Sequence, residues 1–274
     1  MLTVENLRVS FPTRVGRVDA VRGVSFSLGR EKLGIVGESG SGKSTIGRAS
    51  LGLLPPPVEV SADRLEFAGI DLLRATRVQW RDLRGRRIGM ILQDPKYSLN
   101  PVMRVGAQIE ECLRRDGSRD ARRRVGDLLT AVRIRDPDRV AKAWPHELSG
   151  GMGQRAMIAM MLAGEPDLLI ADEPTSALDV TVQLQVLAIL DDLVTERGMG
   201  LIFISHDLEL VATFCDRVAI MYAGRIVETL PAGELHSATH PYTRGLLGCL
   251  PRLDRPQQRL PVLVRDPAWL SEPR

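Results

Sequence analysis

The run Leu33-Gly34-Ile35-Val36-Gly37-Glu38-Ser39-Gly40-Ser41-Gly42-Lys43-Ser44-Thr45 decides how the chain is read. Its first four residues form a short apolar stretch suited to a buried strand. The chain from about Lys43 reads as a helix, which must stop before Pro55-Pro56-Pro57 because proline cannot continue it. Between strand and helix, Gly37–Thr45 fits G-x-x-x-x-G-K-[ST]. Glycines let backbone N–H groups approach and cradle phosphates, and the helix N-terminus adds favourable partial positive charge. Gly37, Glu38, Ser39, Gly40, Ser41, Gly42, Lys43, Ser44 and Thr45 are therefore the candidate phosphate-binding residues. Lys43 is placed to reach the β- and γ-phosphates, and Ser44 to ligand Mg²⁺ through its hydroxyl. The plain alternative is a glycine-rich turn capping an ordinary helix, and the strand–loop–helix context weighs against it. The motif alone means nucleotide phosphate; it does not separate kinases, GTPases and transport ATPases.

Outward from this unit, Leu2–Phe11 and Val18–Leu28 partly alternate apolar with polar residues and read as two strands of an antiparallel edge. Leu168–Ile170, Leu201–Ile204 and Val218–Met221 are short apolar strands alternating with helical stretches, the pattern of a parallel sheet. From about 94 to 154 the chain turns Arg-rich and helical, with patterns over Val105–Leu113 and Ala121–Val132, and reads as an inserted helical subdomain. The expected fold is α/β: a phosphate-loop core over residues 1–235, with an N-terminal antiparallel subsheet and the helical insert, and a Pro- and Arg-rich extension over 236–274. Leu168-Leu169-Ile170-Ala171-Asp172-Glu173 ends in two acids at the edge of the sheet where ligands bind. Asp172 is placed to hold Mg²⁺ through water, and Glu173 to polarise an attacking water as general base.

Leu148-Ser149-Gly150-Gly151-Met152, followed by Gln154-Arg155, carries the argument further. Here the sequence resembles the ABC ATPase family, whose signature reads LSGGQ or LSGGM. The resemblance covers Met1 to about Arg252. It implies that Ser149, Gly150 and Gly151 bind the γ-phosphate held by the opposite subunit. Gln93, ending Ile88-Gly89-Met90-Ile91-Leu92, matches the Q-loop, which links the magnesium site to the helical subdomain. Ser176-Ala177-Leu178-Asp179 matches the D-loop at the dimer interface, and His206 the switch histidine that touches the γ-phosphate. The family also stacks an aromatic residue of the first strand region on adenine, for which Phe11 is the candidate and edge-sheet packing the alternative. The implied cofactors are ATP and Mg²⁺.

Two segments look like the oligopeptide, dipeptide and nickel importer branch: Gln93-Asp94-Pro95-Lys96-Tyr97-Ser98-Leu99-Asn100-Pro101, and His240-Pro241-Tyr242-Thr243-Arg244-Gly245-Leu246-Leu247. That resemblance implies docking of a membrane subunit's coupling helix over Asp94–Val105. It also implies a second ATP-binding subunit, two membrane-spanning permease subunits, a separate substrate-binding protein, and a place on the cytoplasmic face of the membrane. A soluble ATPase of an intracellular assembly, such as a carbon–phosphorus lyase complex, is the alternative. Two departures stand out: Gly153 occupies a position where Arg or Lys is usual, and Cys249 is alone in a tail that in some members carries an iron–sulfur cluster.

The 37 Lys+Arg against 34 Asp+Glu nearly cancel, so charge names no nucleic-acid partner. Arg84-Gly85-Arg86-Arg87 and Arg122-Arg123-Arg124, without interleaved aromatics, read as solvated faces of the helical region. Cys112, Cys215 and Cys249 lack the spacing of a disulfide framework or zinc site. The start has no signal-peptide pattern, and no apolar run reaches the roughly 18–20 residues that span a bilayer.

Overall fold

The computed structural model describes residues 1–93, 98–115, 120–176, 178–250, 263, 266 and 269. β1 (Leu2–Thr13) and β2 (Gly16–Leu28) form a long antiparallel hairpin whose register shifts between Val4 and Arg8 and again after Val9. β3 (Lys32–Val36) leads into α1 (Lys43–Ser50). The next segment adds β4 (Glu59–Ser61), β5 (Arg64–Phe67) and β6 (Ile70–Asp71) to the hairpin, giving the order β2-β1-β5-β6 with β4 also on β1. α2 (Arg77–Leu83) follows, started by a reciprocal cap between Thr76 and Gln79.

β7 (Ile88–Ile91), β8 (Leu168–Asp172), β9 (Gly200–Ser205), β10 (Arg217–Tyr222) and β11 (Arg225–Pro231) join β3 in a second sheet, ordered β11-β10-β3-β9-β8-β7. All its pairs are parallel except β10 with β11. The intervening helices are α3 (Val105–Arg115), α4 (Ala121–Ala131), α5 (Pro137–Lys142), α6 (Gly150–Leu162), α7 (Val180–Arg197) and α8 (Leu208–Phe214), and α9 (Pro241–Gly248) follows the last strand.

Alternation along the central strands divides the interior in two. Leu33, Ile35, Leu168, Ile170, Ile202 and Ile204 face α1 and the hairpin. Leu169, Ala171, Leu201, Phe203, Val218 and Ile220 face the other way, onto α6 and α7. Because both faces of the sheet are covered there, its central strands β3, β8 and β9 are buried and almost wholly apolar, whereas the edge strand β11 carries polar, partly exposed residues. Val105, Ile109, Val125, Leu129 and Val140 of α3–α5 belong to the second of these cores, so the helical region is packed continuously onto the sheet.

The Arg-rich stretch after α2 differs from the sequence expectation. Arg84 is no solvated residue: it donates to the Leu51 carbonyl at 2.8 Å and the Gly52 carbonyl at 2.6 Å, and its guanidinium lies 4.4 Å from the Trp80 ring centre. It thereby satisfies carbonyls just past the end of α1. Arg87 pairs with Asp167 at 2.8 Å, tying the entry of β7 to that of β8. Arg122 and Arg123 are exposed, as read from the sequence, while Arg124 pairs with Glu165 at 2.7 Å.

Candidate functional site

The phosphate-loop motif lies at the C-terminal edge of the parallel sheet. Residues 37–42 form the loop, and Lys43, Ser44 and Thr45 the first turn of α1. Gly42 has φ 99°, and a Cβ there would run into the Ala20 carbonyl of β2, so only glycine lets the loop lie against the hairpin. α1 begins without a side-chain cap, which leaves its first N–H groups open to an anion. The Ser41 hydroxyl is buried without a partner among the described residues, a state that fits a phosphate oxygen.

Lys43 is 5% exposed and donates its ammonium to the Gly37 carbonyl at 2.8 Å and the Glu38 carbonyl at 2.9 Å. Burial pushes its pKa below that of an ordinary lysine, with the charges of Glu173, Asp172 and Glu38 pulling the other way. Asp172 ends β8, is 3% exposed, and accepts the Ser44 hydroxyl at 2.7 Å. Burial raises its carboxyl above the usual range, while the Ser44 hydrogen bond, Arg48 and Lys43 oppose the rise. A serine hydroxyl against a buried carboxyl is an all-oxygen pair that suits a small hard cation such as Mg²⁺.

Glu173 leaves the strand at φ 48°, a left-handed conformation that costs a non-glycine residue about 1–2 kcal/mol. Its backbone is fixed there: the N–H donates to the Ile204 carbonyl at 2.9 Å, and the carbonyl accepts the Ser176 hydroxyl at 3.2 Å. The turn sets the carboxylate between two groups. Gln93 Nε2 donates to one oxygen at 3.1 Å, and His206 Nδ1 lies 3.3 Å from the other. Beside them is a cavity of about 120 Å³ lined by Glu173, Thr175, Ser176, Ser205, His206 and Asp207. Groups distant in sequence thus meet because β3, β7, β8 and β9 end side by side.

Phe11 pairs with Val18 on the hairpin, half-buried against the edge-sheet core, two residues in register from Ala20 and the loop. Ser149 caps α6, accepting the Met152 N–H at 3.4 Å, and Asp179 caps α7, accepting the Val182 N–H at 3.1 Å. A Cβ on Gly151 would run into the Val182 side chain, so glycine lets these two helix starts pack together. Ser149 and Gly151 make their hydrogen bonds within α6, and Gly150 and Gly151 lie against Leu178 and Val182 at the start of α7. Ser149, Gly150 and Asp179 are exposed, and so are the apolar side chains of Val180 and Leu184 on α7. Gly153 is buried and its N–H donates to the Ser149 carbonyl at 2.8 Å, so this departure leaves the helix start intact. Ala177, and residues 94–97 of the expected docking segment, lie outside the described residues.

Residues 21–176 match the family model described as ABC transporter. Over 280 residues the chain is 46% identical to the oligopeptide transport ATP-binding protein OppD of Bacillus subtilis, covering all of this chain and 78% of that one. It is also 46% identical to the dipeptide transport ATP-binding protein DppD of Escherichia coli, over 96% of this chain and 82% of that one. The chain belongs to the ABC transporter ATPase family. Among solved structures of ABC cassettes, a dimeric post-hydrolysis state of the ATP-binding cassette MJ0796 bound to ADP and Pi superposes with a TM-score of 0.72 at 25% identity. That match covers 85% of this chain and 99% of the other.

As an ABC ATPase the chain binds ATP with Mg²⁺ and hydrolyses it to power a transporter. No helix among the described residues is long and apolar enough to cross a membrane. Two groups at this ABC site escaped the sequence reading. Asp207 accepts the Leu210 N–H at 2.9 Å and so starts α8 directly behind His206, which an Asp before an apolar helix could have signalled. The Tyr242 hydroxyl accepts the Glu38 N–H at 3.3 Å across 204 positions, and no local pattern announces that contact.

Proposed function

We propose that this chain is the ATPase of a peptide importer, lying against the cytoplasmic face of the membrane and working in pairs. The observation that carries the hydrolytic part is the convergence of Ser44 with Asp172, and of Gln93 and His206 with Glu173, beside the buried Lys43. Lys43, Ser41 and the N–H groups that open α1 hold the ATP phosphates. Mg²⁺, held by Ser44, Asp172 and Gln93, offsets phosphate charge when bound. Glu173 accepts the proton of the attacking water, and His206 orients the γ-phosphate and that carboxylate. Phe11 stacks on adenine.

Ser149, Gly150 and Gly151 complete the site of the neighbouring cassette, and Asp179 lies across the same interface. The exposure of Ser149, Gly150 and Asp179, together with that of the apolar Val180 and Leu184 on α7, supports this reading. Closure of two cassettes on two ATP molecules moves the helical region 94–154, whose Val102, 75% exposed, offers an apolar foothold for a membrane subunit. Two permease subunits and a separate substrate-binding protein complete the assembly, with no nucleic acid involved. Similarity over the whole of this chain to oligopeptide and dipeptide transport ATP-binding proteins supports peptide as the cargo.

The test is co-purification followed by reconstitution in vesicles, measuring ATP-driven uptake of a labelled dipeptide, a labelled pentapeptide and nickel. Uptake of either peptide supports the proposal. Uptake of nickel alone, or purification without polytopic membrane subunits, refutes it.

A further inference from the structure

The segment His240–Leu247, which the nucleotide chemistry does not use, reaches the phosphate loop. Glu228 on β11 gathers the start of α9: one of its oxygens accepts the Thr239 N–H at 2.7 Å, the Thr239 hydroxyl at 3.0 Å and the His240 N–H at 3.2 Å. Burial would raise this carboxyl, and the polar groups that face it, with the hydrogen bonds from Thr239 and His240 among them, outweigh it and hold the group below the usual glutamate range. His240 then caps α9, its Nδ1 accepting the Tyr242 N–H at 3.2 Å.

The clamp drives Tyr242 inward until it is wholly buried. Its ring centre lies 4.4 Å from that of Tyr222, at the end of β10, and 5.8 Å from that of Trp269. In this position its hydroxyl accepts the Glu38 N–H at 3.3 Å. The same peptide unit carries the Gly37 carbonyl, which accepts the Lys43 ammonium at 2.8 Å. A trans peptide is planar, with its N–H and C=O pointing in opposite directions. Holding the N–H from outside the loop therefore aims the carbonyl inward at Lys43.

We propose that Tyr242 is a positioning residue: it fixes the Gly37–Glu38 peptide, and through it Lys43, so that the C-terminal extension sets the affinity of the phosphate loop for nucleotide. This rests on reading residues 37–45 as the phosphate loop. Without the hydroxyl the peptide loses the hydrogen bond that holds its N–H from outside the loop, and its orientation is less strictly set. Binding then weakens by the fraction of chains that keep the competent loop.

The test uses the full chain and ADP titrated by calorimetry, in wild type, Tyr242→Phe, Lys43→Ala and the double variant. Tyr242→Phe keeps the ring and its packing and loses only the hydroxyl. It is expected to weaken ADP binding about three- to tenfold, the scale of one neutral hydrogen bond, and to speed exchange of the Glu38 amide in the nucleotide-free protein. In the Lys43→Ala background the same change should alter ADP affinity by less than about twofold, because no ammonium remains to be aimed. Glu228→Gln, which weakens the clamp and spares the hydroxyl, should move affinity in the same direction. A Tyr242→Phe chain that binds ADP like wild type overturns the proposal, as does an equal loss in both backgrounds, which would mark a diffuse structural effect. If Lys43→Ala itself binds ADP normally, the phosphate-loop reading falls and this proposal with it.

Discussion

Glu173→Gln isolates one chemical property. The substitution keeps side-chain length and leaves an amide oxygen that can accept from Gln93 Nε2, now 3.1 Å from the carboxylate, or from His206 Nδ1, at 3.3 Å. At most one of these contacts is lost, a loss of about 0.5–1.5 kcal/mol in stability, so the chain should stay folded. Lys43 keeps both its carbonyl partners and Ser44 keeps Asp172, so nucleotide binding should change by no more than about twofold. What disappears is the proton acceptor. General-base contributions of about 10²–10⁴ correspond to roughly 3–5 kcal/mol of barrier, and kcat should fall by that factor. The variant should also accumulate as an ATP-bound dimer. The assay is steady-state phosphate release beside ATP titration and size-exclusion chromatography with ATP. A kcat within about tenfold of wild type at unchanged ATP affinity would refute the role given to Glu173.

Ser149→Arg places a bulky cation at the exposed start of α6 and removes a cap of about 1 kcal/mol. ATP affinity of the monomer should stay near wild type while ATP-driven dimerisation and hydrolysis vanish. A loss of affinity as severe as that of Lys43→Ala in a folded monomer would mean the signature acts within its own chain. Asp172→Asn tests the electrostatics of the site. Burial raises the folded-state pKa, so the charged carboxylate destabilises the fold above that pKa and carries no penalty below the ordinary Asp range. The variant should therefore melt higher than wild type near about pH 8, with the gain shrinking toward about pH 4, and a pH-independent difference would show another cause. Anaerobically purified protein should carry no iron–sulfur cluster. The chain has three cysteines, one fewer than the four thiolates of a typical cluster, and Cys215 is buried with its thiol pushed up to about 12 by burial; four irons per chain would overturn this.

The sequence was most legible where chemistry demands fixed spacing or where burial demands apolar runs. Gly37–Thr45 announces its loop because a phosphate cradle admits few alternatives, and Leu168–Asp172 and Gly200–Ser205 announce their strands because both faces are covered. β4, β5 and β6 were not legible: at three, four and two residues they are too short to show a period. α5 escaped for the same reason, although Asp136 before Pro137 is a helix-start signal. Arg84 was misread because its role lies in carbonyls 32 and 33 positions away. Of the site, residue identities were legible but contacts were not. Nothing local says that Glu173 sits between Gln93 and His206, or that Tyr242 touches Glu38.

The order of the parallel sheet also governs how the chain comes together. β3, at residues 32–36, has its neighbours in β9 and β10, at residues 200–205 and 217–222. At synthesis rates of about 5–20 residues per second, the strand that feeds the nucleotide loop waits on the order of ten seconds on the ribosome before either partner exists. During that time Leu33, Ile35 and Val36 have no sheet to enter. Nascent chains of this protein thus present an apolar segment early and close it late, and a polypeptide stopped before β9 holds every residue of the loop yet lacks the strands that would flank it.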